Sequence, residues 1–101
     1  MYIPKNKPSH PGEFIRENVV KEFAVTQDQL AKAIGVSRKT VNELINGKRS
    51  MTVDMALRIS RYTNTDSGTW MNLQIIYDIW EALHSEKGKS IQSITPIGVV
   101  A

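Results

Sequence analysis

The sequence predicts an all-α fold, with five helices in one domain between a short N-terminal arm and a C-terminal tail. Three observations carry that expectation. Apolar residues recur at steps of three and four along most of the chain, the period that turns one face of a helix toward a core. Ser, Thr or Pro stands ahead of these runs and Gly or Asn behind them, which is where helices begin and end. At 101 residues, 41% hydrophobic and 23% charged, the chain has the size of one domain and the composition of a folded one.

Residues 1–10 hold Pro4, Lys5, Lys7 and Pro8 and show no helical period, so an extended arm is expected there. The domain proper is expected over 11–85. Pro11 suits a first helical position and Glu13 the positive end of the helix dipole, and Phe14, Ile15, Asn18, Val19 and Phe23 follow at helical spacing as a first helix. Thr26 and Gln29 form a capping box, with Val25 and Leu30 at the spacing of a hydrophobic staple. The second helix therefore starts near Gln27, turns Leu30, Ala31 and Ile34 inward and stops at Gly35. Ser37 caps a third helix, whose buried face is Val41, Leu44 and Ile45 and whose end is Asn46-Gly47.

Thr52 caps a fourth helix, with Val53, Ala56, Leu57 and Ile59 expected inward and the polar stretch 64–68 as its end. A fifth helix is expected from about Thr69, its apolar stripe running through Trp70, Leu73, Ile76, Tyr77, Trp80 and Leu83. Within that stripe Trp70, Leu73, Tyr77 and Trp80 suit a core or a dimer interface. The tail, 86–101, scatters Ile91, Ile94, Ile97, Val99 and Val100 among Ser, Gln, Thr and Pro96, and strand-like or irregular structure is expected.

Residues Gln27 to Asn46 place two helices on either side of a tight turn, with small Ala31 where they cross and Gly35 at the bend. That is the pattern of a helix-turn-helix, whose second helix enters the major groove of DNA N-terminus first. Charge agrees with it. Between Ser37 and Arg49 stand four cations, Arg38, Lys39, Lys48 and Arg49, against the single acid Glu43, a net +3 that equals the charge of the whole chain. The rest is neutral in sum, so the positive field lies on the third helix and the loop that leaves it. Arg38, Lys39 and Asn42 lie opposite the buried face and suit base edges, Arg38 with guanine and Asn42 with adenine. Gln27, Ser37 and Thr40 suit phosphate oxygens, as do Lys48 and Arg49 by charge. Glu43 suits either a cytosine amino group or plain solvation.

Other chemistries find little footing. The chain has no cysteine and only two histidines, His10 and His84, far apart in sequence, so neither metal nor cofactor is expected. His10 suits a cap or turn and His84 the negative end of the fifth helix. Asp78 and Glu81 have no nucleophile or metal ligand nearby in sequence, so catalysis is not expected. No run of about 18 apolar residues exists, and the N-terminus has no apolar stretch of the secretory kind, so the expectation is a cytoplasmic protein without a membrane partner.

The stretch 26 to 49, T-Q-D-Q-L-A-K-A-I-G-V-S-R-K-T-V-N-E-L-I-N-G-K-R, resembles the phage-repressor (Cro/C1, or XRE) helix-turn-helix family. H-P-G-E at His10 to Glu13 and W-M-N-L-Q-I-I-Y-D at Trp70 to Asp78 narrow the likeness to HigA-type antitoxins, over about Ser9 to Leu83. That resemblance implies a five-helix, phage-repressor-like domain that dimerises and represses its own operon at palindromic double-stranded operator DNA. It further implies neutralisation of a RelE-like, mRNA-cleaving toxin, HigB, with contact through the N-terminal arm and helix one. A free-standing regulator without a toxin partner is the alternative.

Overall fold

The computed structural model of the chain describes residues 4–98, and those residues contain helices and no strand. Six α-helices follow in order: α1 (Pro11–Ile15), α2 (Gln27–Ile34), α3 (Arg38–Ile45), α4 (Val53–Thr63), α5 (Ser67–Leu83) and α6 (Glu86–Gln92). A π-helical segment, Arg16–Lys21, continues α1.

The count exceeds the expected five because of the tail. Glu86 to Gln92 is helical, where strand-like or irregular structure was expected. Acidic Glu86 in its first turn and Lys89 in its last both suit the helix dipole, and Gly88 lies buried against Leu83, where an added Cβ would meet the Leu83 carbonyl oxygen at 2.2 Å. That close backbone approach lies across the short turn between α5 and α6 and depends on the absence of a side chain, so it is invisible to a search for periodic apolar residues. Ile91, Ile94 and Ile97 are exposed. Val99 and Val100 lie outside the described residues.

Helix one also departs from expectation. Its α-helical part is one turn and a half, and from Arg16 to Lys21 the backbone widens to a π-helix, followed by a turn in which Ala24, a non-glycine residue, takes φ 52°. The widening shifts the later positions around the axis. Ile15 and Val19 are buried as expected, but Phe23 is exposed at the end of the segment. In α4, Val53 and Leu57 are exposed instead of inward, and Met55 joins Ala56 and Ile59 inside. Val53 and Leu57 stand one turn apart, so both follow from a single rotation of that helix relative to its expected face.

The core gathers Ile15 and Val19, then Leu30, Ala31 and Ile34 from α2, Val41, Leu44 and Ile45 from α3, and Met51, Met55, Ala56, Ile59 and Trp70. Gly12 brings α1 into backbone contact with the end of α3. A Cβ at that position would lie 1.7 Å from the Leu44 carbonyl oxygen, so only glycine fits. Two arginines close the helix-turn-helix from behind. Arg58 Nη1 donates to the Ile34 carbonyl at 2.8 Å, at the end of α2, and Arg16 Nη2 donates at 3.0 Å to the Ile45 carbonyl, at the end of α3. Each places a cation on the negative end of a helix dipole.

Candidate nucleic-acid interface

The helix-turn-helix is built by local chemistry. Thr26 Oγ1 accepts from the Gln29 amide at 3.0 Å and Gln29 Oε1 accepts from the Thr26 amide at 2.8 Å, the reciprocal pair that starts α2. Gly35 ends the helix at φ 74°. Ser37 Oγ accepts from the Thr40 amide at 3.1 Å to start α3. Val41, Leu44 and Ile45 fasten α3 to the core, which turns Arg38, Lys39 and Asn42 to the solvent.

Of the eight residues assigned to DNA from the sequence, seven lie on α2, α3 or the loop after α3, and Ser37 is the cap in the turn between the two helices. Six of the eight are exposed, while Gln27 and Thr40 are half-buried. The structure ties several of them to partners. Asn42 Nδ2 donates to Gln27 Oε1 at 3.1 Å, so these two amides, fifteen residues apart in sequence, form one polar surface across α2 and α3. Arg38 lies 3.6 Å from Asp28 Oδ1, a loose and exposed pair. Ser37 and Thr40 share a hydroxyl contact at 2.9 Å. Lys39 and Lys48 make no ion pair among the described residues.

Glu43 belongs to this surface although no role was fixed for it from the sequence. Its Oε1 accepts from Arg49 Nη2 at 2.9 Å, which joins the third helix to the loop behind it. That hydrogen bond, together with the charges of Arg49, Lys39 and Lys48, holds its carboxyl below the usual range.

The same loop is anchored from below. The Met51 amide donates to Oε1 of buried Gln74 at 2.7 Å, and Gln74 Nε2 donates to Asp78 Oδ1 at 2.9 Å. His10 is buried against Gly47, accepts from the Gly12 amide through Nδ1 at 2.9 Å to cap α1, and meets the Tyr77 ring edge-on at 5.0 Å. Arg16 and Gln74 were missed as supports of this surface, whereas His10 caps α1, the role its position suggested. The H-P-G-E stretch was the one signal that bore on His10, since a histidine before proline suits a cap.

The aromatic residues of α5 divide. Trp70 is in the core, with its indole N–H donating to Thr65 Oγ1 at 2.8 Å. Leu73, Tyr77 and Trp80 are half-buried. The arm crosses Tyr77 and Trp80: Lys7 pairs with Glu81 at 2.6 Å and lies 5.4 Å from the Tyr77 ring centre, and the Trp80 indole N–H donates to the Lys5 carbonyl at 3.4 Å. Trp80 also stacks on His84 at 3.8 Å, and His84 ends α5, as its position suggested. No helix among the described residues is long and apolar enough to cross a membrane.

Comparison with known proteins agrees with this geometry. The helix-turn-helix family matches residues 18–70. Virulence-associated protein I of Dichelobacter nodosus is 37% identical over 105 residues, covering 100% of this chain and 95% of that protein. Antitoxin HigA-1 of Vibrio cholerae is 28% identical over 92 residues, covering 89% of this chain and 87% of that protein. The structure of the Pseudomonas aeruginosa antitoxin HigA with the higBA promoter superposes at a TM-score of 0.83 with 37% identity, over 89% of this chain and 98% of that one. The chain therefore belongs to the helix-turn-helix family of XRE type and shares its fold with HigA antitoxins.

Proposed function

We propose that the chain is the antitoxin of a HigBA-like module, which represses its own operon by sequence-specific binding to operator DNA and neutralises a RelE-like, mRNA-cleaving toxin. The observation that carries the DNA half is the solvent-facing N-terminal turn of α3, where Arg38, Lys39 and Asn42 are exposed beside Lys48 and Arg49. In this mechanism α3 enters the major groove and Arg38, Lys39 and Asn42 meet base edges. The amide of Gln27 and the hydroxyls of Ser37 and Thr40 meet phosphate oxygens, and Lys48 and Arg49 neutralise the backbone and release counterions. The Gln27 to Asn42 hydrogen bond sets the angle at which the Asn42 amide is offered.

Support for the toxin half is the likeness to HigA antitoxins and an uncovered groove at the seam of helix one and α5. Phe14, Asn18, Trp70 and Leu73 line it, with a volume of about 470 Å³. The protein acts as a dimer across a two-fold axis, with α5 at the interface, and is cytoplasmic.

The test has two arms. Footprinting on the DNA upstream of its own reading frame is expected to protect two half-sites about 34 Å apart or a multiple of it. Protection of one half-site by a monomer at full affinity contradicts the dimer. Co-expression with the adjacent small reading frame is expected to give a stable complex and to relieve growth arrest. DNA binding without such a partner leaves a free-standing regulator.

A further inference from the structure

Resting on the DNA-binding proposal, we propose that Glu43 is a base-reading residue of α3, that it accepts a hydrogen bond from a cytosine amino group, and that Arg49 holds it in place to do so. Glu43 follows Lys39 by one turn, so the two share a face of the helix. Its carboxylate pairs with Arg49 and feels the more distant charges of Lys39 and Lys48, and only one of its oxygens is engaged: Oε1 accepts from Arg49 Nη2 at 2.9 Å. Among the described residues Oε2 accepts no hydrogen bond. The side chain is thus fixed in orientation, kept ionised and left with one free acceptor.

Next to a polyanion such a group repels phosphates, and its place is at a base edge that donates. In the major groove guanine shows N7 and O6 and thymine shows O4, all acceptors that repel a carboxylate. Adenine offers its N6 amino group beside the N7 acceptor, whereas cytosine offers the N4 amino group without one. The carboxylate therefore selects mainly by rejection. Arg49, still holding free N–H groups, stays able to reach the backbone while it buttresses Glu43.

Wild type, Glu43→Gln, Arg49→Gln and Lys48→Ala are titrated against duplexes from the protein's own promoter, each with one base pair changed. Wild type is expected to lose about tenfold in affinity at one position when its cytosine becomes guanine or thymine, and Glu43→Gln to discriminate there by less than about threefold. Arg49→Gln is expected to lose the same discrimination and to bind every duplex more weakly, while Lys48→Ala weakens all duplexes and keeps every preference. Circular dichroism melting shows that each variant is folded. If Glu43→Gln shifts all duplexes by one factor and preserves every preference, Glu43 does not read a base, and the inference falls while the DNA-binding proposal stands. If the wild type binds all duplexes alike, sequence-specific binding itself falls, and this inference with it.

Discussion

Single residues carry more of this fold than their side chains suggest. Gly12 permits the backbone of α1 to touch the end of α3. Gly12→Ala gains helix propensity worth about 1 kcal/mol, but must displace a backbone carbonyl, an overpacking cost of about 3 kcal/mol. The clash is the larger effect, so chemical denaturation is expected to show a net loss of about 2 kcal/mol, and unchanged stability would mean that α1 can slide away. His10 gives a pH signature. Burial lowers its pKa from the ordinary value of 6.5, because the charged ring loses water and its Nδ1 must stay unprotonated to accept from Gly12. Between the two values the unfolded chain binds more protons than the folded one, so stability is full above about pH 6.5 and is lost as pH falls through the lowered value. Melting temperature is expected to drop on acidification in that window, and His10→Asn to flatten the drop. At this scale Thr26, Gly35 and Ser37 were legible in the sequence because caps and left-handed turns act within three residues. Gly12 was not, because its constraint comes from a helix thirty residues away.

Among the elements, α2 and α3 follow the sequence closely and the ends of the chain do not. A helix with its own cap and a stripe of buried residues is specified locally, and both have these. The π-helical turn at Arg16–Lys21 has no such local signal, and the helix over Glu86–Gln92 is held by packing on α5. The inward face of α4 was misplaced at Val53 and Leu57 since apolar residues occupy more than one of its faces. Support for α3 also comes from outside it. Arg16 donates at 3.0 Å to both the Ile45 carbonyl and Asn46 Oδ1, and Asn46 Nδ2 donates to the Asn42 carbonyl at 2.9 Å. Arg16→Met is expected to cost about 1.5–3 kcal/mol, the range for hydrogen bonds to a charged group, and to speed amide hydrogen exchange in the last turn of α3. Unchanged exchange there would show that the arginine does not secure the helix end.

Across the whole molecule, the Cα radius of gyration is 16.7 Å and the extents are 57 × 23 × 21 Å. A compact chain of this length has a radius near about 13 Å. The excess fits a 17-residue α5 with α6 packed at its end, and α5 leaves Ile75 exposed while α6 exposes Ile91. The surface for DNA was legible at this scale because its charge is confined to one segment of thirteen residues. The ties within it, Gln27 to Asn42 and Glu43 to Arg49, join residues whose separation gives no periodic signal. The account rests on α3 as a recognition helix. Fluorescence anisotropy of wild type, Arg38→Ala and Lys48→Ala with operator and scrambled duplexes, over a range of salt, tests it most directly. The expected result is a loss of about 1–3 kcal/mol for Arg38→Ala on the operator with relaxed preference at one base, and for Lys48→Ala a uniform loss with a salt slope lower by about one. Equal losses on both duplexes for both variants would contradict it.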